Sequence, residues 1–476
     1  MSTTGSTPLA TLEATIRAEL TYLDFPANDW LTPEPAPDGK PAYDVVIQGA
    51  GMQGLAIAYA LRRKRIANVL VVDRAIAGRE GPWSTFARMP TLRTQKTFIG
   101  LDLGLPSLAF RAWYDAVEGA GAFAGLTLIP TDAWQRYIDW YRQVLSLAVR
   151  NEAALVGIRP DGGLIRVDLQ EGGRTTPVWT RKLVRVAGIT SGGGPIVPEV
   201  IRRLPARLWA HSTDDIDFAA LKGRTVAVIG AGSSAFDNAA TALEAGAARV
   251  VMLMRRRRRQ DVMSVRPMFT MGFLGHFADL PDADRWRVMH HATRFSPPPP
   301  APSVARCTRH EVFEWWTGSP LNEAHVAGGK AQLVTPCGTL AVDLVIAATG
   351  FDVDLARRPE LAAIEPDVAR WGDVYQPPEG LQDPALARFP YLGRQFELVA
   401  RPGREAPYLA DIHEFSAASV ASMGPVSVGV TGLSFGAQRL VDGLTRDLFL
   451  RDSEAQLAPV LSLKDPNPDP HDDWTI

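Results

Sequence analysis

The sequence predicts an α/β protein with two Rossmann-like, three-layer domains, the first of which is interrupted by the second. Two copies of one pattern predict this fold. Short apolar strands near Val45 and Val226 each run into a glycine-rich loop, and an Ala- and Leu-rich helix follows each loop. We call Gly49–Gly54 the first loop and Gly230–Ala235 the second loop. A strand, a glycine turn and a helix in this order form the phosphate-binding unit of dinucleotide-binding domains.

The small residues of each loop meet separate steric requirements. The first glycine permits the tight turn, and the second lets the backbone approach a pyrophosphate at the positive end of the helix. The third position must be small so that helix and strand pack closely, and in the second loop it is Ala235. One such loop could be an ordinary turn, but two in matching contexts favour dinucleotide binding. The predicted contacts are Gly49, Gly51, Gly54, Gly230, Gly232, Ser233 and Ser234.

The two loops differ at the end of the next strand, where the residue that reads the ribose lies. Asp73 follows the first loop, and a carboxylate there accepts hydrogen bonds from ribose hydroxyls and repels a 2′-phosphate. After the second loop this place is taken by Met254 and then Arg255, whose guanidinium can pair with a phosphate. The sequence therefore predicts FAD at the first loop, contacted by Asp73 and Arg74, and NADPH at the second, contacted by Arg255 and Arg256.

Composition limits the other function classes. The arginine run Arg255–Arg259 could be a solvated face or a nucleic-acid patch. However, the 476 residues include 50 Lys and Arg against 52 Asp and Glu, and this balance offers no general basic field for a polyanion. The length suits two or three domains, and no apolar stretch is long enough to span a bilayer. We therefore expect a cytoplasmic protein with no nucleic-acid or membrane partner, and its oligomeric state stays open.

The cysteines and histidines predict neither a redox dithiol nor a metal site. Cys307 and Cys337 do not form a C-x-x-C pair, although distant cysteines could still meet in space. The eight histidines show no ligand spacing with one another or with the cysteines.

The order of patterns along the chain predicts four segments. Residues 1–42 form an N-terminal extension, and residues 43–190 form the first part of the FAD-binding domain. The NADPH-binding domain covers residues 191–346 and contains an insert, residues 262–302, that is rich in Met and aromatic side chains. Residues 347–476 return to the FAD-binding domain and end in a tail. The insert could be a substrate lid, a packing cap or an oligomer contact.

Five motifs occur in the order that is typical of one enzyme family. They are Gly81-Pro82-Trp83, the linker from Gly188 to Pro198, His211-Ser212 with Asp215, the second loop as far as Asp237, and Ala348-Thr349-Gly350-Phe351. With them, the chain from Tyr43 to about Arg451 resembles the flavin-containing monooxygenases and their Baeyer–Villiger and N-hydroxylating relatives. The resemblance implies FAD in the first domain and NADPH in the second, with Trp83, Thr349 and Gly350 as further cofactor contacts.

The chain departs from the family pattern at two places. The fingerprint around His211 lacks its phenylalanine and glycine, which are Pro205 and Arg207 here. The P-G-x-R-x-D run of the Baeyer–Villiger branch keeps its arginine as Arg93, whereas its aspartate is Gln95. The resemblance makes Arg93 and His211 the candidate catalytic residues, at the flavin and in domain closure. Arg93 could instead form an interdomain ion pair, and His211 could be a satisfied linker histidine.

The resemblance implies that NADPH reduces FAD, and that the reduced flavin traps O2 as a C4a-(hydro)peroxide shielded from water. Loss of the aspartate and the type of second loop favour oxygenation of a nitrogen or sulfur of a small molecule over Baeyer–Villiger oxygenation of a carbonyl. Two dinucleotide sites would also suit a flavin dehydrogenase or reductase, or a sensor that binds both dinucleotides without turnover. The candidate pocket residues are Trp83, Arg93, Trp134, Trp315, Trp316 and His413.

Overall fold

A computed structural model describes residues 6–24, 28–97, 100–259, 261, 263, 265–294 and 298–463. Its elements up to residue 185 are α1 (Pro8–Tyr22), β1 (Tyr43–Gln48), α2 (Met52–Arg63), β2 (Val69–Val72), α3 (Phe110–Glu118), α4 (Ala122–Gly125), α5 (Thr131–Val144), β3 (Ala154–Asp161), β4 (Leu164–Glu171) and β5 (Arg174–Arg185). Those from 193 to 353 are β6 (Gly193–Pro195), α6 (Glu199–Arg202), β7 (Trp209–His211), β8 (Thr225–Ile229), α7 (Ser233–Glu244), β9 (Arg249–Met254), α8 (Met271–His276), α9 (Asp282–Thr293), α10 (Ala301–Thr308), β10 (Phe313–Thr317), β11 (Glu323–Ala327), β12 (Lys330–Thr335), β13 (Gly338–Val342), β14 (Leu344–Ala347) and β15 (Phe351–Val353). The last are α11 (Trp371–Val374), β16 (Ile412–Glu414), α12 (Val420–Met423), α13 (Leu433–Arg451) and α14 (Ser453–Leu461).

The first sheet contains strands from both ends of the chain. Its strand order is β2-β1-β5-β4-β3, and β16 pairs with β5. β1 runs parallel to β2 and β5, whereas β3, β4 and β5 form an antiparallel meander. Val45, Val46 and Ile47 are fully buried, as expected for a parallel strand that is covered on both faces. β16 also runs parallel to β5. Because β16 follows all strands of the second sheet along the chain, the first sheet contains strands from before and after the second.

The second sheet consists of five parallel strands in the order β10-β9-β8-β14-β7. The apolar face of α7 packs on it through the buried residues Ala235, Phe236 and Ala239. A separate antiparallel sheet, β11-β12-β13, precedes β14. The predicted fold class, two Rossmann-like dinucleotide domains with one interrupting the other, is therefore confirmed.

The two crossings between the sheets are paired with each other. β6 on the outward crossing and β15 on the return form a two-stranded antiparallel sheet. The Ile196 N–H donates to the Gly350 carbonyl at 2.9 Å, and the Thr349 hydroxyl donates to the Ile196 carbonyl. The two segments that connect the halves thus lie side by side and are hydrogen-bonded to each other.

The described part of the insert packs on residues that follow the return crossing. Trp286 lies 5.9 Å from Trp371 between ring centroids, and its indole N–H donates to the Leu381 carbonyl at 2.8 Å. The Arg285 guanidinium lies 5.0 Å above the Trp371 ring and donates to the Ser422 carbonyl at 3.0 Å. Of the three interpretations, these contacts favour the packing cap. Among the described residues, no helix is both long enough and apolar enough to cross a membrane.

Candidate functional site

The first loop has glycines that are required for two different reasons. Gly49 has a φ of +110°, and a Cβ there would come within 3.0 Å of the Val186 carbonyl. A Cβ on Gly54 would collide in the same way with the Gly49 carbonyl. At Gly51, by contrast, the nearest atom to an added Cβ is the Gly81 Cα, at 3.8 Å. The protein itself tolerates a side chain at Gly51, so the open space there is available to a ligand.

That space lies at the start of α2, where a pyrophosphate would bind. Gly51 is the N-cap residue and offers no side chain to the first N–H groups of the helix, which are therefore available to an anion. The Asp73 carboxylate is held beside the turn, because it accepts the N–H groups of Ala50 and Ala75, both at 2.8 Å. Asp73 remains half-exposed and has lone pairs left for ribose hydroxyls. Arg74, next to it, is exposed.

Two further segments approach the first loop. The Gly81-Pro82-Trp83 motif does so through Gly81, and the Trp83 ring packs edge-on against Trp134 at 6.4 Å. The Gln53 amide donates to the Ser427 carbonyl at 2.6 Å, which places the segment leading into α13 beside the loop. The structure therefore brings three separate parts of the chain to the predicted flavin position.

The second loop repeats this arrangement with one change. Gly230 has a φ of +126°, and a Cβ there would meet the Ala348 carbonyl within 3.0 Å. A Cβ on Gly232 would meet no atom within 4 Å, and α7 begins at Ser233 without a side-chain cap. The third position accommodates the methyl group of Ala235, which is fully buried. The start of α7, with Ser233 and Ser234 in its first turn, therefore offers free N–H groups to an anion, and pyrophosphate binding there stays a prediction.

The arginine run begins where β9 ends, at the buried residue Met254. The carbonyls of Met254 and Arg256 accept the N–H groups of Ser319 and Gly318, each at 2.9 Å, so the backbone of the run is anchored. All five arginine side chains are exposed. Within the described part of the chain, Arg255 and Arg256 have no acidic partner, and both are available to a phosphate.

Arg93 forms an ion pair between the two halves of the molecule. This is one of the two roles that the sequence allowed for it, and the other is a contact with the flavin. Its guanidinium donates to the carboxylate of Asp237 on α7. Asp237 is 2% exposed and also accepts the Ser303 hydroxyl at 2.7 Å. Position 237 ends the second-loop motif, but its partner lies 144 positions away and could not be found from sequence spacing. Contact between Arg93 and the flavin stays a prediction.

His211 lies at the carboxyl end of β7, against the return crossing. Its ring packs on Phe351 at 5.4 Å, and its Nδ1 lies 2.8 Å from the Thr213 hydroxyl oxygen. The ring is buried. Burial lowers the pKa of His211 below its ordinary value, although the charge of Asp214 and a hydrogen bond with the Gly350 backbone act in the opposite direction. A role in domain closure stays a prediction.

The other pocket candidates do not share one surface. Trp83 and Trp134 belong to the first hydrophobic core, whereas Trp315, on strand β10 of the second sheet, packs on Phe236 of α7 at 5.1 Å. Trp316 lies beside Trp315 on the edge strand β10.

His413 is a correction to the predicted set, because it is fully buried on β16 and cannot line an open pocket. Its Nδ1–H donates to the Gln395 carbonyl at 2.9 Å. Burial and the nearby charge of Lys182 lower its pKa to about 3. The residue is therefore a neutral core histidine.

Comparison with known proteins assigns the class that these two sites define. A family model described as L-lysine 6-monooxygenase/L-ornithine 5-monooxygenase matches residues 124–296, and one described as FAD-NAD(P)-binding matches residues 46–173. The ornithine N-hydroxylase of Kutzneria sp. 744, a structure with reduced FAD and NADP⁺, has a TM-score of 0.66 at 17% identity, over 86% of this chain and 100% of that one. Ornithine hydroxylase (PvdA) of Pseudomonas aeruginosa has a TM-score of 0.65 at 18% identity, over the same shares of the two chains. These two structures show the shared fold.

A sequence relative is more informative about the family. The FAD-dependent urate hydroxylase of Xanthomonas campestris pv. campestris is 39% identical over 456 residues, which cover 95% of this chain and 96% of that protein. The chain therefore belongs to the family of flavin-dependent monooxygenases that includes this hydroxylase, and it is an FAD-dependent oxidoreductase. The predicted family is confirmed, and FAD and NADP(H) are confirmed as the cofactors of this family.

Proposed function

We propose that the protein is an NADPH- and O2-dependent FAD monooxygenase that oxygenates a nitrogen or sulfur of a small molecule. The observation that carries this proposal is the difference between the two loops. Both leave open space at their second glycine, but one is followed by the carboxylate of Asp73 and the other by Arg255, which has no acidic partner among the described residues. Such a pair suits one dinucleotide with a bare ribose and one with a 2′-phosphate.

The chain's own residues then have separate tasks. The first turns of α2 and α7 bind the two pyrophosphates, and Arg255 with Arg256 selects the phosphorylated nicotinamide cofactor. When bound, the flavin would supply the redox and oxygen-transfer chemistry. The insert, in which Trp286 is buried against Trp371, is held on the residues that follow the return crossing. We retain residues 43–190, 191–346 and 347–476 as the proposed domain limits.

Urate is the second candidate substrate, and a specific observation favours it. The relative that is 39% identical over nearly the whole chain is a urate hydroxylase. A hydroxylated urate product would distinguish this reaction from oxygenation of an amine or a thioether.

The test uses the purified full-length protein with its flavin. NADPH oxidation, O2 uptake and hydrogen peroxide release are followed together with urate, small amines, thioethers and ketones. The proposal predicts that one amine or thioether raises NADPH oxidation while peroxide release falls, with one O2 consumed per oxygenated product. Coupled turnover with urate assigns the second candidate, and coupled turnover with a ketone assigns Baeyer–Villiger chemistry. Flavin reduction without oxygenation of any compound would contradict a monooxygenase and indicate a dehydrogenase.

A further inference from the structure

The segment that carries Arg93 is anchored to the first half of the molecule. The Leu92 N–H donates to the Ile129 carbonyl at 2.8 Å, and the Thr131 N–H donates to the Pro90 carbonyl at 3.0 Å. The backbone position of Arg93 is therefore set by α5 and the loop before it. The side chain of Arg93, unlike its backbone, extends to helix α7, which packs on the second sheet.

The carboxylate that pairs with Arg93 lies on α7, the helix that is proposed to bind the nicotinamide cofactor. Asp237 lies four residues beyond the first residue of α7, which is about one turn, or roughly 6 Å, from the proposed pyrophosphate site. Its second oxygen accepts the Ser303 hydroxyl at 2.7 Å and lies 3.6 Å from the Arg306 guanidinium. The carboxylate is 2% exposed and is held on three sides, so it provides a fixed anchor.

Arg93 itself faces open space. Its side chain is 41% exposed, in contrast to the buried carboxylate behind it. A guanidinium has five N–H groups, and among the described residues only the bond to Asp237 uses one of them. The remaining donors are therefore available on the exposed side of this ion pair, about one helical turn from the start of α7.

A second arginine on the same segment makes a parallel crossing. Arg88 donates to the Asp214 carbonyl at 3.2 Å, and its guanidinium lies 5.2 Å above the Phe218 ring. Arg306 returns a bond to the Arg88 carbonyl at 3.3 Å. Residues 88–93 thus belong to the half that is proposed to bind the flavin and contact the half that is proposed to bind the nicotinamide cofactor.

The geometry points to Asp237 as a positioning residue that fixes Arg93 about one helical turn from the start of α7, and so couples the orientation of this arginine to the proposed nicotinamide-binding helix. The inference rests on the proposed function, because it requires the start of α7 to bind the nicotinamide cofactor. It gives Arg93 a carboxylate partner in place of the neutral Gln95, two positions further on. Hydride transfer depends on the relative placement of the two halves, and a displacement of about 1 Å can cost roughly 100-fold in rate.

The test is a double-mutant cycle on the flavin-containing protein, made of Arg93→Gln, Asp237→Asn and the double variant. The measured quantities are the anaerobic rate of flavin reduction by NADPH, the dissociation constant of NADP⁺ by calorimetry, and Tm. We expect each single variant to slow flavin reduction by about tenfold or more, with the double variant no slower than either. Wild-type reduction in Asp237→Asn, or effects that multiply in the double variant, would overturn the inference.

Glu314→Gln is the matched control. It removes a carboxylate from strand β10 of the second sheet, where Glu314 pairs with Arg249 of the neighbouring strand β9. We expect a lower Tm with a wild-type reduction rate, and equal slowing in this variant would also overturn the inference.

The Tm cycle needs no catalysis. If NADPH does not reduce the wild-type flavin, the proposed function fails. Non-additive Tm shifts would then still support the coupling between Arg93 and Asp237, and additive shifts would overturn it.

Discussion

The two glycine loops form the same turn, and in each loop the first and second glycines serve different purposes. Gly49 and Gly230 both have positive φ, and both lie against a carbonyl of the following crossing, Val186 or Ala348. Neither Gly51 nor Gly232 is required by the protein, because an added Cβ would meet no close atom. The comparison separates two kinds of glycine: the first allows the backbone turn, and the second leaves space for a ligand.

The loops differ at their third position. At Gly54 a Cβ would collide with the Gly49 carbonyl, whereas the second loop accommodates the methyl group of Ala235. α2 therefore packs more closely on its own turn than α7 does. This closeness and the Asp73 carboxylate distinguish the flavin loop from the nicotinamide loop.

The largest expected effect comes from giving the first loop the side chain that the second already has. Gly54→Ala places a methyl group within 3.0 Å of the Gly49 carbonyl, so the turn must shift and the pyrophosphate site is lost. We expect a purified protein without bound flavin, measured as FAD per polypeptide by absorbance. A variant with a full complement of FAD would contradict the difference between the loops.

The comparison of the two halves extends to their buried histidines. The pKa of His413 in the folded protein, about 3, lies below its ordinary value of 6.5, so the unfolded state binds the proton more readily between these values. Stability should therefore be lost as pH falls from about 6.5 toward 3, by about 1.4 kcal/mol per pH unit. Between pH 6.5 and pH 5 the expected loss is about 2 kcal/mol.

Urea unfolding of His413→Asn at pH 7 and pH 5 checks this prediction. The variant should be less stable at pH 7 but should lose less stability on acidification. His211→Asn in the second half should show a smaller flattening of the pH dependence. An unchanged pH dependence in His413→Asn would contradict the pKa assignment.

The next effect concerns cofactor choice at the second loop. Arg255→Gln removes a charge-assisted hydrogen bond to the 2′-phosphate, so kcat/KM for NADPH should fall by about tenfold or more. The value for NADH should stay unchanged, because that cofactor has no phosphate at this position. Arg258→Gln, from the same exposed run, is the control and should leave both values unchanged. An equal fall for both cofactors would refute selection by Arg255.

The smallest effect is the reverse exchange in the second loop. Ala235→Gly relieves no collision and costs about 1 kcal/mol of helix stability. We expect full FAD content, a slightly lower Tm in a thermal melt, and nearly normal NADP⁺ affinity by calorimetry. Complete loss of NADP⁺ binding would show that the methyl group has a role beyond packing.

The fold and both loops could be predicted because each strand–loop–helix unit is contained in a short stretch of sequence. The asymmetry between Asp73 and Arg255 is local in the same way. The ion pair of Arg93 with Asp237 was not predictable, since the partners are 144 positions apart and meet only when the domains pack. The same reason explains why the insert's contact with Trp371 and the burial of His413 were missed. Side-chain type indicated chemistry, but only tertiary packing determines which candidates lie together.

The central claim is that the two loops bind two different dinucleotides. Its most direct test is anaerobic titration of Gly232→Val with NADPH. The new side chain enters space that is open in the protein, so it should block the pyrophosphate at α7 without disturbing the fold. We predict that the variant retains FAD and is reduced by dithionite but not by NADPH, while NADPH bleaches the wild-type flavin. Bleaching of the variant by NADPH at the wild-type rate would contradict the assignment of the second loop.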